Sequence, residues 1–288
     1  MNESAVKLRS YIADGESRLM VSAYDALTAK VAEASGVDVL HLTGFGASAA
    51  LGGTPDIGLL SLTEMVDACR RICDATESPV LADADTGHGN PLNVRRTIRE
   101  FEAAGAAGVH IEDQVSPKRC GHMSGKSVIP AADMVEKIKA AVDARRDENF
   151  VVMARTDANA VYGIDSALER AELYVEAGAD MIFVEAPRTQ EEIERIAREV
   201  KVPQLFNWAF GALTPHVSRS DLAKLGFELV LFSDVASVVH HALSKFYGRL
   251  VPAESLDDID DSITGFDEFN KFIGLPEWRA LEQLYADS

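Results

Sequence analysis

Eight times along this chain a short, nearly continuous apolar run gives way to a stretch with helical periodicity, and no other feature limits the fold as tightly. The runs are Leu19–Tyr24, Val39–Thr43, Val80–Asp85, Val109–Asp113, Phe150–Thr156, Met181–Glu185, Gln204–Asn207 and Glu228–Ser233. Amphipathic stretches such as Pro91–Ala104, Ala131–Arg145, Ser166–Ala177 and Gln190–Val200 separate them, and Gly36, Gly105, Gly178 and Gly226 stand where helices should end. Strands apolar on both faces, each followed by a helix, indicate a buried parallel sheet. Eight such units predict an α/β fold closed into a (β/α)8 TIM barrel, which takes about 250 residues. With 288 residues the chain has enough.

Residues 1–249 are assigned to the barrel and 250–288 to a linker with extra C-terminal helices. The linker carries Pro252 and the acidic run Asp257-Asp258-Ile259-Asp260-Asp261. Phe266, Phe269, Phe272, Ile273, Trp278, Leu281 and Leu284 then give two short amphipathic helices around Gly274-Leu275-Pro276. With no strand to follow, these helices must pack on their own barrel or on a partner subunit.

The formal charge of −18 argues against nucleic acid or anionic membrane as a partner. No apolar run reaches the roughly 20 residues of a membrane span. The N-terminus lacks the apolar core of a signal peptide. Three cysteines, Cys69, Cys73 and Cys120, suit a reducing compartment, so the expected location is cytoplasmic. Cys69 and Cys73, one helical turn apart, read as buried helix positions, and His216, His240 and His241 as surface or packing residues.

In a barrel of this kind the active site lies where strands end and βα-loops begin. Polar residues crowd those ends: Tyr24, Thr43, Asp83, Asp85, Glu112, Arg155, Glu185, Asn207 and Ser233. Asp83 and Asp85, two apart on a strand, should face the same way, and a hard divalent cation would relieve their repulsion. Glu112, at the next strand end, is a third acid able to act through water. Cys120, between Lys118, Arg119 and His122, is expected to have a depressed pKa and to serve as a proton donor, with a nucleophilic role as the alternative. Arg155 can hold a carboxylate in bidentate fashion, and Glu185 and Asn207 can bond hydroxyl or carboxylate groups. The Thr43-Gly44-Phe45 loop offers backbone amides to an oxyanion. Thr214-Pro215-His216 is expected to close a loop over the mouth.

Five motifs, Asp83-Ala84-Asp85-Thr86-Gly87, Ile111-Glu112-Asp113-Gln114, Lys118-Arg119-Cys120-Gly121-His122, Ala154-Arg155-Thr156-Asp157 and Val184-Glu185-Ala186, together resemble the isocitrate lyase/phosphoenolpyruvate mutase superfamily. The Cys120-Gly121-His122 loop is similar to that of its carbon–carbon lyases. That resemblance implies Mg²⁺, or Mn²⁺, held by Asp83, Asp85 and Glu112, with catalysis by Cys120, Arg155, Glu185, Tyr24 and His122. It also implies a substrate site of Thr43, Gly44, Phe45, Asp56, Lys118, Gly121, Asn207, Thr214 and Ser233. The implied reaction cleaves the C2–C3 bond of a small 2-hydroxy or hydrated 2-oxo dicarboxylic acid such as a 2-alkylmalate, 2-methylisocitrate or oxaloacetate. A phosphonate enzyme, either a carboxyphosphonoenolpyruvate phosphonomutase or a phosphonopyruvate hydrolase, is the alternative. Ser233 resembles members that hydrolyse oxaloacetate. Phe210 departs from the family, standing where many lyases carry an acid after Asn207, and implies an altered pocket. The implied assembly is a homotetramer that exchanges C-terminal helices.

Overall fold

The computed structural model describes residues 2–286. All eight runs are strands: β1 (Arg18–Ala23), β2 (Val39–Leu42), β3 (Val80–Asp83), β4 (Gly108–Glu112), β5 (Val151–Thr156), β6 (Met181–Val184), β7 (Gln204–Asn207) and β8 (Leu229–Phe232). They pair in parallel in chain order, and β8 returns to β1 to close the barrel. Most of the predicted runs extend one or two residues beyond the observed strand. The surplus residues, Tyr24, Thr43, Asp85, Asp113, Glu185 and Ser233, begin the βα-loops.

Period-two alternation sorts the strand residues into two cores. Leu40, Leu42, Ala82, Val109, Ile111, Val152, Ala154, Ile182 and Val230 face outward and pack under the surrounding helices. Met20, Val39, Leu81, Val151, Met153, Met181, Phe183, Leu205 and Leu229 face inward and fill the barrel. Ala5, Leu8 and Ile12 of the helix Glu3–Ala13 join that inner cluster. This N-terminal helix, capped by Asn2, had no place in the sequence expectation. Its three apolar residues follow helical spacing and close the bottom of the barrel.

The chain forms two compact units, Met1–Ala236 and Ser237–Ser288. The helix Val235–Leu250, assigned from sequence to the barrel, buries none of its residues. In the second unit, helices Phe266–Phe272 and Leu275–Ala286 stand on either side of Gly274 as expected, and neither has a buried residue. Among the described residues no helix is long and apolar enough to cross a membrane.

Candidate active site

The inward rows of the strands turn polar toward their C-terminal ends. Asp83 is the register partner of His110, and Glu112 that of Arg155, so these four side chains sit at neighbouring levels of the barrel wall. Above them a cavity of about 270 Å³ is lined by Thr43, Phe45, Asp56, Asp83, Cys120, Gly121, His122, Arg155, Glu185, Asn207 and Ser233 among the predicted residues. The mouth thus gathers side chains that are up to 190 positions apart (Thr43 to Ser233, 233 − 43). The volume suits a small acid rather than a nucleotide.

The acids are arranged differently from the simple strand picture. β3 ends at Asp83, and Asp85 adopts φ 49°, so strand alternation does not orient it. The βα-turn does so instead: Asp85 N–H donates to Asp83 Oδ1 at 2.9 Å. Gly44 N–H donates to Asp83 Oδ2 at 3.2 Å, and a Cβ at Gly44 would lie 2.8 Å from that oxygen, which explains the glycine. Lys118 Nζ reaches Asp56 Oδ1 at 2.7 Å and Asp85 Oδ1 at 2.8 Å, with both ends of each pair buried. Burial pushes the ammonium pKa down, but Asp85, Asp83, Glu112 and Asp56 outweigh it, so Lys118 stays charged. Burial, and the neighbouring carboxylates, raise Asp85 to about 6 against the pull of Lys118.

In this cluster both oxygens of Glu112 accept no hydrogen bond, whereas Asp85 Oδ1 is held by Lys118. Arg155 Nε lies 3.3 Å from Glu112 Oε2, yet its N–H is aimed at Asp157 Oδ2, 2.9 Å away. Burial accordingly raises the Glu112 carboxyl well above its ordinary range. Buried, unpartnered carboxylate oxygens beside Asp83 fit a hard divalent cation. Among the described residues no three His, Cys, Asp or Glu side chains converge to hold a metal directly. A cation here would therefore keep several of its waters, as Mg²⁺ does.

The Cys120 loop leaves β4 and is pinned at its base by the Gln114–Val128 bridge. The Gln114 side chain accepts from Arg119 N–H at 3.0 Å and donates to the Arg119 carbonyl at 2.8 Å. Cys120 N–H donates to the Asp56 carbonyl at 3.0 Å. Lys126 donates to the Gly121 carbonyl and, at 2.7 Å, to Asp157 Oδ1. A Cβ at Gly121 would come within 2.5 Å of Arg155 Nη2 and of the Glu185 carboxyl carbon, so only glycine lets the loop settle there. The expected depression of the Cys120 pKa is corrected. Burial raises the thiol, and Asp56 and Glu185 add to the rise, while Lys118 is turned onto Asp56 and Asp85. The sulfur is a retained acid, not a ready thiolate.

Across the mouth, Arg155 spends Nε and Nη2 on Asp157, at 2.9 and 3.1 Å, so its expected two-pronged grip on a substrate carboxylate is taken by a protein carboxylate. Its Nη2 also lies 3.6 Å from Glu185 Oε2. His122 Nε2 lies 3.2 Å from both Asn207 Nδ2 and Glu185 Oε1. Glu185 Oε2, Asn207 Oδ1 and His122 Nδ1 are buried without partners and remain available to a ligand.

Other expectations are revised by local structure. Thr43 caps the short helix Gly44–Ala47, its Oγ1 accepting from Gly46 N–H at 3.3 Å. The amides of Gly44 and Gly46 are thus used within the protein. Tyr24 does not line the cavity; its ring lies under Gly46, where a Cβ would be 2.7 Å from it. Thr214 is buried with an unpartnered hydroxyl and also lies off the cavity wall. Phe210 does line it, together with Ala209, Gly211 and Ala212, and is otherwise exposed. His41 and His110 at its base are not singled out by the sequence, and Asp157, named there as part of a motif, turns out to pair with Lys126 behind Arg155. The two histidines share strand parity with Thr43 and Glu112, a signal that marks them as inward-facing.

Residues 8–247 match the family model described as phosphoenolpyruvate phosphomutase. The chain is 42% identical to 2,3-dimethylmalate lyase of Eubacterium barkeri over 98% of both sequences. It superimposes on oxaloacetate acetylhydrolase in complex with the inhibitor 3,3-difluorooxalacetate with a TM-score of 0.91, at 30% identity, covering 98% of this chain and 97% of that one. Phosphonopyruvate hydrolase in complex with oxalate and Mg²⁺ gives a TM-score of 0.89 at 29% identity, covering 98% and 99%. A family match over most of the chain, close relatives named as lyases, and a barrel mouth holding the five motifs agree. This chain belongs to the isocitrate lyase/phosphoenolpyruvate mutase superfamily and is an enzyme of its carbon–carbon lyase branch.

Proposed function

We propose that the enzyme cleaves the C2–C3 bond of a small 2-hydroxy or hydrated 2-oxo dicarboxylic acid in the presence of Mg²⁺, with Mn²⁺ as a substitute. The observation that carries this reading is the meeting of two features at one mouth: an acid cluster in which Asp83 lines the cavity and the fully buried Glu112 keeps both oxygens unpartnered, and a cavity-lining thiol that burial keeps protonated. Asp83, Asp85 and Glu112 would hold the cation, directly or through water. Bound there, it would supply Lewis-acid polarisation of the C2 oxygen and charge neutralisation at the C1 carboxylate.

The chain's own groups do the rest. Asn207, Glu185 and His122 hydrogen-bond the substrate from the far wall. Arg155, oriented by Asp157, sets a positive field at the base. The C2 hydroxyl passes its proton to Glu185, whose Oε2 has no hydrogen-bond partner on the cavity wall, and becomes a carbonyl, while the C2–C3 electron pair leaves with C3 as an enolate carboxylate. Cys120 then delivers a proton to C3 and is reprotonated from solvent. The Cys120 loop, laid against Arg155 and Glu185 at Gly121, keeps water from that carbon. For oxaloacetate the hydrate would give oxalate and acetate by the same route. Ser233 and the Phe210 wall are where substrates of different C3 substitution would be told apart. The exposed apolar residues Phe266, Trp278 and Leu284 support an assembly, proposed as a homotetramer, in which the C-terminal helices are exchanged. Its three free cysteines suit work in the cytoplasm.

The test is a panel of 2,3-dimethylmalate, 2-methylisocitrate, oxaloacetate and phosphonopyruvate, each with Mg²⁺. Cleavage of at least one of the carbon substrates is expected. Turnover of phosphonopyruvate alone would replace this reading with a phosphonate enzyme.

A further inference from the structure

Beneath the acid cluster lies a line of buried polar side chains that the mechanism above does not use. Ser22 and His41 are register partners on β1 and β2, and His110 is the partner of Asp83. Ser22 Oγ is 3.1 Å from His41 Nδ1, and His41 Nε2 is 2.9 Å from His110 Nε2. His110 Nδ1 lies 3.8 Å from Asp83 Oδ1 and has no hydrogen-bond partner, although the residue is 1% exposed. Both imidazoles line the cavity.

The 2.9 Å contact joins two ring nitrogens and has room for one proton. Both rings are buried, at 4% and 1% exposed, and neither has a carboxylate oxygen within hydrogen-bond distance to support an imidazolium, so each is neutral and carries a single N–H. Two arrangements satisfy the contact. In one, His110 Nε2–H donates to His41, and the bare lone pair of His110 Nδ1 faces the Asp83 carboxylate. In the other, His41 Nε2–H donates to His110, the Ser22 hydroxyl donates to His41 Nδ1, and His110 turns an N–H toward Asp83. A lone pair facing an anion in a dry site is repulsive, whereas an N–H facing it is attractive. Asp83 is set up as an acceptor, since both its oxygens already receive backbone N–H groups.

We infer that His41 is a positioning residue: by donating to His110 Nε2, with Ser22 behind it, it fixes His110 in the Nδ1–H tautomer, so that the base of the site presents an N–H donor to Asp83 and to the cavity above. The kinetic part of the test rests on the lyase reading; the tautomer does not.

Long-range ¹H–¹⁵N correlation on the full-length protein labelled at histidine nitrogen, without metal or substrate, reads the tautomers directly. His110 is expected to show a protonated Nδ1 and a bare Nε2, and His41 the reverse. A His110 carrying its proton on Nε2 overturns the inference. His41→Phe keeps the bulk but removes the donor, and kcat on a panel substrate with Mg²⁺ should fall roughly tenfold with KM nearly unchanged. His41→Gln, which retains an N–H donor, should recover most of that loss. An unchanged kcat, or a rise in KM alone, would make His41 a wall residue and overturn its positioning role. The expected tautomer with no turnover of any carbon substrate would uphold the arrangement and sink the lyase reading instead.

Discussion

The lower and upper halves of the barrel interior are built on the same strands and the same inward parity, yet they are opposite in chemistry. Below, Met20, Val39, Leu81, Val151, Met153 and Met181 interlock with Ala5, Leu8 and Ile12 of the N-terminal helix, all almost wholly buried. Above, Asp83, Glu112, Arg155, Glu185 and Asn207 occupy the next inward positions, and Glu112, Glu185 and Asn207 leave buried oxygens without hydrogen-bond partners. Each such group costs about 1–3 kcal/mol in a folded protein. The lower half is thus organised for stability, and the upper half is held in a state that a ligand completes. This division locates the active end of the barrel without reference to any relative.

The contrast can be broken in several ways. The largest effect should follow metal removal: exhaustive dialysis against a chelator is expected to cut turnover of the preferred panel substrate roughly 10³-fold, with recovery on adding Mg²⁺. Retained activity in the chelated protein would remove the acid cluster from catalysis.

Next come two substitutions with opposite signatures. Leu81→Ala, in the lower core, should lower unfolding stability by about 2–5 kcal/mol while leaving kcat of the folded enzyme nearly unchanged. Glu112→Gln, in the mouth, should leave the melting temperature of the metal-free protein unchanged or raise it, because a buried carboxyl is exchanged for a neutral isostere. Its activity should drop by at least about tenfold. Destabilisation by both, read by thermal unfolding, would erase the distinction between the halves.

A smaller effect concerns pH. The folded pKa of Cys120 is raised, so its protonated form is retained at and above neutrality. Its contribution to stability is fully present below the unfolded thiol value, about 8.5, and is lost as pH rises through the higher folded value. The same sign applies to proton donation. The alkaline limb assigned to Cys120, as the part of the pH–rate profile that changes in Cys120→Ser, should lie above that ordinary range. Alkylation by iodoacetamide at neutral pH should be slower than for a free thiol. Rapid alkylation at pH 7 would show a thiolate and contradict the buried acid.

What could be read from the chain alone follows the reach of local rules. The eight strands were legible because each is a continuous apolar run between helical patterns, and the mouth because polar residues such as Glu112 and Arg155 stand at the run ends. The orientation of Asp85 was not, since its left-handed backbone lies outside strand geometry. The sequence points to a depressed Cys120 pKa, but the cations beside Cys120 in the chain are not its neighbours in space. Lys118 belongs electrically to Asp56 and Asp85, and the thiol instead meets burial and Glu185. Likewise Arg155 was expected to await a substrate, while Asp157, two residues on, had already claimed its fork. His41 and His110 were within reach of the parity argument, but their 2.9 Å contact required the closed barrel.

The central claim is that Cys120 is the acid that protonates the leaving carbon. It is tested most directly by comparing Cys120→Ala with the unaltered enzyme for cleavage of the best panel substrate and, separately, for Mg²⁺-dependent binding of oxalate. Cleavage should fall roughly 10²-fold while oxalate binding persists. Unchanged cleavage by Cys120→Ala would contradict the account.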